Sequence, residues 1–292
     1  MECICSSHHL YSESNELNTF KKKNPSTTIC SSKRTPLNSY PTFSPTYVDL
    51  YKSSIEISSI SFPSEIQKID FLEILDNPLF FQKEFISKNA PCLITNALDD
   101  WDALDLWNDI NYLSEKINKK ITIDINPDGF ADSIKNEYFT QPLQIQGTIS
   151  EYNNIRENDK NMVPYIQMQN NNFNKEFIDV FPENEINQNL SNFFGKNFFS
   201  HSPIPDATNF WMGDERSVSS LHKDHYENIY CVINGEKHFT LIPPIFYPLF
   251  FEGKFRQGKW TLENEEWILD NNDEVNLITF FPIEINSFFY TY

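Results

Sequence analysis

Ile121, Ile123 and Ile125 alternate with Thr122, Asp124 and Asn126 before Pro127-Asp128-Gly129. A period of two predicts a strand with one apolar face, closed by a turn. Helical spacing lies on both sides. Asn77-Pro78 opens a predicted helix over 77–88, since proline suits the first helical turn and Leu79, Phe80, Phe85 and Ile86 form a stripe. Ile110, Leu113 and Ile117 predict a second helix over 109–119. Thr148, with Glu151 three residues on, opens a third to about residue 157 through a capping box. Residues 92–95 and 165–169 read as short strands, and Gly195 ends a short predicted helix over 185–194. Trp101, Trp107, Trp211 and Phe194 are expected in the core or wall, and no internal repeat is visible.

The densest strand signal covers 210–241. Two apolar runs there flank Asn234-Gly235, the strongest short hairpin signal, because a type I′ turn needs positive φ at both central positions. The register then opposes Val232 to Lys237, and opposed residues share a face. Lys237 is therefore expected beside Val232, Tyr230 and Asn228. Upstream, His222-Lys223-Asp224 puts an imidazole and a carboxylate at i and i+2, one face of a strand. Two His and one carboxylate on one side of an ion form the donor set of non-haem Fe(II) oxygenases, which leave positions open for a co-substrate and O2. An H-x-D triplet alone arises often by chance. If the strand phase runs back unbroken, Lys237 joins the ligand face, where a buried ammonium needs an anion. A dicarboxylate held by the metal at one end would supply it. The competing reading is an exposed lysine, the default for any lone Lys.

Over 209–244 the chain resembles the JmjC (jumonji C) branch of the Fe(II)/2-oxoglutarate dioxygenases, and within it the small lysyl hydroxylases. The segments that carry the resemblance are Asn209-Phe210-Trp211-Met212-Gly213, Ser220-Leu221-His222-Lys223-Asp224-His225-Tyr226-Glu227-Asn228, Tyr230 to Phe239, and Pro243-Pro244. Weaker matches at 90–94, 126–132 and 165–169 extend it over roughly 62–267. The resemblance implies a mainly β fold with flanking helices, a double-stranded β-helix of the jelly-roll or cupin-like type. It implies that His222 and Asp224 ligate Fe(II), and that Lys237 pairs with the distal carboxylate of 2-oxoglutarate. Tyr165 and Ser219 would hydrogen-bond the same carboxylate, and Asn228 would line the pocket. Such enzymes convert 2-oxoglutarate to succinate while hydroxylating a C–H bond. The expected substrate is a lysine side chain of a protein or peptide, with GTP-binding proteins among the implied partners.

The family's third iron ligand is a His on a late barrel strand. The six His here are His8, His9, His201, His222, His225 and His238. His238 follows Lys237 and so faces away, His225 is out of phase with the ligand pair, His201 lies in a Ser-Pro loop, and His8 and His9 lie in a polar tail. A His/Asp pair alone is expected to hold Fe(II) weakly, with 2-oxoglutarate completing the sphere. Residues after Trp267 match the family poorly, so the barrel is expected to be incomplete at its C-terminal end, with an open edge, as in a truncated product. Two other readings follow. One is a catalytically inactive JmjC-like binding module. The other is a metal-dependent peptidase using bound water as nucleophile, in which Lys237 has no task.

Composition narrows the partners. Residues 1–60 are rich in Ser, Thr, Asn and Lys with Pro25, Pro36, Pro41 and Pro45, and read as a disordered polar extension before a JmjC-like domain over 61–292. The net charge of −18 argues against direct nucleic-acid binding and favours a basic polypeptide substrate by steering. Five scattered Cys suggest no disulfide framework and suit a reducing compartment, and Cys92 and Cys231 read as core thiols. No apolar run is long enough to span a membrane, and neither a secretory signal nor an Arg-rich transit peptide is visible. A cytoplasmic location is expected, with the nucleus also compatible.

Overall fold

The computed structural model describes residues 2–7, 47–61, 65–178, 205–249, 253–270 and 277–280. In chain order its elements begin with β1 (Glu2–Ser7), α1 (Tyr47–Ser61), β2 (Gln67–Asp70), α2 (Phe71–Asp76), α3 (Pro78–Phe81) and β3 (Cys92–Thr95). Next come α4 (Ala103–Leu106), α5 (Ile110–Lys116), β4 (Ile121–Asn126), β5 (Phe130–Ala131), β6 (Ser133–Lys135), β7 (Tyr138–Gln141) and β8 (Leu143–Gly147). The remainder are α6 (Ile149–Asn158), β9 (Val163–Tyr165), β10 (Ala207–Trp211), β11 (Val218–Ser219), β12 (Glu227–Val232), β13 (Gly253–Glu263), β14 (Glu266–Asp270) and β15 (Leu277–Phe280).

The alternation over 121–126 forms β4, which lies between β8 and β9 in an antiparallel sheet. Ile121, Ile123 and Ile125 are at most 2% exposed, each worth about 1.5–3 kcal/mol of burial. They meet Leu113 of α5 and Ile117 just after it, Ile149 and Tyr152 from α6, and Phe177 and Phe210. The Phe177 and Phe210 rings lie 4.4 Å apart, with Trp107 edge-on to Phe210 at 5.5 Å. Trp101, Trp107 and Trp211 are buried, as expected.

Side-chain caps sit where the helices were read to begin. Asp109 Oδ1 accepts from the Asn111 N–H to open α5, and Asn77 Oδ1 accepts from the Phe80 N–H to open α3. Both halves of the Thr148/Glu151 capping box form at α6. The predicted helix over 77–88 is α3 running into a π-helical turn, Gln82–Ile86. The strand read at 165–169 begins earlier, as β9, and continues only through a bridge between Ile166 and Met212. The predicted helix over 185–194, with Phe194, lies outside the described residues, as does His201.

Long-range pairings complete the architecture. β1 lies antiparallel between β10 and β12, and α1 packs on the 3-10 helix Pro244–Leu249, with Ser54 Oγ donating to the Ile245 carbonyl. β1 and all but the last residue of α1 fall inside residues 1–60. β13 is the longest strand and takes β14 and β15 along one side and β7 along the other. Strands dominate, most of them antiparallel, with short helices flanking them. This is the mainly β, cupin-like jelly roll expected, although no sheet closes into a barrel among the described residues.

Candidate active site

The segment bearing His222 and Asp224 is positioned by Gly129 and Arg216. Gly129 takes φ +83°, and a Cβ there would lie 1.9 Å from the Arg216 carbonyl oxygen, so only glycine permits the approach. The Val218 N–H then donates to the Gly129 carbonyl, and β11 pairs with β5 in parallel, setting Ser219 beside Ala131. Arg216 fastens the same corner. Its guanidinium pairs with Asp214 at 2.7 Å and donates to the carbonyls of Arg156 and Asp159 at the end of α6.

Beyond Ser219 the chain leaves the sheet, and residues 220–226 are not strand. His222 and Asp224 nevertheless converge, with Nε2 and Oδ2 3.7 Å apart. The expected cause, strand alternation, is corrected: local hydrogen bonds in a loop bring them together. His222 Nδ1 donates to the Ser220 carbonyl at 2.7 Å, which fixes the tautomer and turns Nε2 toward Asp224. Asn228 Nδ2 donates to Asp224 Oδ2 at 3.1 Å, so this residue orients the carboxylate. The nearby Asp224 carboxylate raises the proton affinity of His222 above the ordinary imidazole range, and the same contact lowers that of Asp224.

The turn at Asn234-Gly235 is present, but Gly235 alone has positive φ (+82°), which excludes type I′. Residues 236–239 form no strand, so Lys237 is not held by a hairpin ladder. It still reaches inward. Lys237 Nζ donates to the Tyr165 hydroxyl at 3.2 Å, and Tyr165 is 2% exposed, packed with its ring 5.7 Å from Trp211. His225 and His238 take no part in either pair, and His238 sits by Glu236 with its side chain 71% exposed. Cys231 is buried as expected, whereas Cys92 is only partly so, its thiol pushed up to about 11 by desolvation.

An inward ammonium beside a buried phenol suits one end of a carboxylate co-substrate, and imidazole with carboxylate suits a divalent metal. The donor chemistry therefore fits 2-oxoglutarate at Lys237 and Tyr165. For a metal it provides two side chains, and the described residues contain no group of three or more His, Cys, Asp or Glu that could hold an ion.

Sequence reasoning missed the burial of Asp124 and Asn126 and the pocket that Asp124 and Asp132 line. Asp124 lies opposite Tyr165 in register, so both share the inner face of their sheet. Asp132 follows β5 with φ +52°. The available signal was the polar half of the 121–126 alternation, which reads as a solvent face and is instead buried at Asp124 and Asn126.

Known proteins share sequence with most of this chain. The Cupin-like domain family matches residues 78–281. JmjC domain-containing protein E of Dictyostelium discoideum is 34% identical over 263 residues, covering 82% of this chain and 71% of that protein. The bifunctional peptidase and (3S)-lysyl hydroxylase JMJD7 of Homo sapiens is 35% identical over 209 residues, covering 68% and 64%. Lysine-specific demethylase JMJ32 of Arabidopsis thaliana is 31% identical over 193 residues, covering 61% and 51%. The matched region thus spans about half to two-thirds of the latter two proteins. With its cupin-like strands and this similarity, the chain belongs to the JmjC family of 2-oxoglutarate-dependent oxygenases.

Proposed function

We propose that this chain is an Fe(II)- and 2-oxoglutarate-dependent hydroxylase acting on a lysine side chain of a protein or peptide. The observation that carries the reading is the inward Lys237 ammonium at Tyr165 in a chain whose His222 and Asp224 also converge. His222 Nε2 and Asp224 Oδ2 would hold the metal, and Lys237 would pair with the distal carboxylate of 2-oxoglutarate, to which Tyr165 and Ser219 would hydrogen-bond. Together the metal and co-substrate supply oxidative hydroxylation of a C–H bond. The protein's own part is to orient: Ser220 and Asn228 aim the two donors, and Trp211 fixes the Tyr165 ring. A lysine substrate is favoured by the lysyl hydroxylase named among the relatives. A GTP-binding protein as partner and a cytoplasmic or nuclear location belong to the same proposal.

The test is succinate release coupled to the gain of one oxygen atom on a lysine peptide, with Fe(II) and 2-oxoglutarate supplied. Succinate formed without peptide oxidation rejects the lysine assignment, and no succinate at all rejects the hydroxylase. One observation favours a second reading, a non-catalytic 2-oxoglutarate-binding module: only two metal-directed side chains converge among the described residues. Affinity for 2-oxoglutarate indifferent to divalent metal identifies that case.

A further inference from the structure

The loop that carries His222 and Asp224 has no strand ladder over 220–226, so side-chain contacts have to fix it. One lies at its start, where Ser220 Oγ donates to the Ala131 carbonyl at 3.5 Å. Another lies between the two metal-directed residues. Lys223 Nζ donates to the Tyr247 hydroxyl at 3.2 Å and stands over the same ring, 4.7 Å from its centre. An ammonium over an aromatic face is attracted by the ring quadrupole, and the hydroxyl adds a charge-assisted hydrogen bond. Lys223 thus engages both the apolar and the polar part of one tyrosine.

Tyr247 sits on the 3-10 helix Pro244–Leu249, which has anchors of its own. Phe246 is buried and its N–H donates to the Pro243 carbonyl at 2.9 Å, while buried Ser54 of α1 donates to the Ile245 carbonyl. Tyr247 itself is 42% exposed, so the neighbouring Phe246, not Tyr247, supplies the buried anchor of this helix. The tyrosine instead reaches from a fixed helix to a loop that lacks a ladder. Lys223 is the residue between His222 and Asp224, and consecutive Cα atoms are about 3.8 Å apart. Whatever holds position 223 therefore holds both neighbours.

We propose that Tyr247 is a positioning residue for the His222/Asp224 pair: through Lys223 it clamps the loop between β11 and β12, and it ties that loop to the 3-10 helix and α1. Neither Lys223 nor Tyr247 is a metal donor in this scheme. Their contribution is pre-organisation, which strengthens binding by reducing the ordering that binding would otherwise require. The effect on metal rests on the oxygenase reading above; the clamp on the loop does not.

The experiment compares the full chain with Tyr247→Leu, which changes no charge but removes ring and hydroxyl, and with Tyr247→Phe, which keeps the ring. Hydrogen–deuterium exchange over 220–226 is followed without metal, and Mn(II) affinity is measured by calorimetry with 2-oxoglutarate present. Tyr247→Leu is expected to speed exchange in the loop and weaken Mn(II) binding, each by roughly threefold to tenfold. Tyr247→Phe should recover at least half of both losses, and exchange in β4 should stay at the wild-type rate. In a Lys223→Met background, Tyr247→Leu should have no further effect on the loop. Unchanged exchange over 220–226, an equal rise in β4, or a full effect in the Lys223→Met background overturns the clamp. Faster exchange with unaltered Mn(II) affinity overturns the positioning role. Wild-type protein that binds no Mn(II), although its loop responds to Tyr247→Leu as expected, sinks the oxygenase reading and leaves the clamp standing.

Discussion

An ammonium beside a buried phenol, as at Lys237 and Tyr165 3.2 Å apart, is suited to receive a carboxylate by charge-assisted hydrogen bonding. Replacing Lys237 with Met removes a charge-assisted contact worth about 1.5–3 kcal/mol. It should therefore weaken 2-oxoglutarate binding by roughly tenfold to a hundredfold, read by calorimetry with Mn(II) present. An affinity within about twofold of wild type would remove Lys237 from the site. Asp132 gives a pH-dependent companion. Its carboxyl is raised from 3.8 to about 6 by burial, so folding favours its neutral form. The charged form therefore costs stability above about pH 6, and the cost disappears as pH falls below the ordinary carboxylate value. Asp132→Asn should raise stability by about 1–2 kcal/mol at pH 7.5, and by much less near pH 4.5. Denaturant midpoints at the two pH values check this, and a variant less stable at pH 7.5 would contradict it.

Elements were legible in the sequence where their cause is local. Three isoleucines in alternation specify β4, and a threonine with a glutamate three residues on specifies the start of α6. Removing that cap by Thr148→Ala should cost about 1 kcal/mol, visible as a lowered melting temperature. Gly129→Ala should cost more, on the order of 3 kcal/mol, since it combines positive φ with a collision against the Arg216 backbone. Because this corner sets the start of β11, the variant should also weaken metal binding, whereas Thr148→Ala should not. What the sequence hid has distant causes. The parallel pairing of β13 with β7 and the placing of β1 between β10 and β12 join residues far apart along the chain, which no periodicity encodes. The His222/Asp224 convergence was readable from spacing, but its mechanism was not, because Ser220 and Asn228 act through hydrogen bonds outside any strand. Asp132 escaped notice because an aspartate after a short turn reads as turn chemistry.

At the scale of the whole molecule, a net charge of −18 surrounds a cavity lined by buried Asp124 and partly buried Asp132. A basic peptide should therefore associate faster at low ionic strength and slow markedly as salt screens the field, by stopped-flow measurement between about 20 and 300 mM salt. An association rate flat in salt would show that the acidic surface serves solubility alone. The central claim is that His222, Asp224 and Lys237 together make one site for a metal and a 2-oxoglutarate molecule. Calorimetric titration of 2-oxoglutarate with Mn(II) into wild type, His222→Ala, Asp224→Ala and Lys237→Met tests it most directly. Metal-dependent binding in the wild type that falls at least tenfold in every variant is the predicted result; binding that is absent from the wild type, or unchanged across all three substitutions, would contradict it.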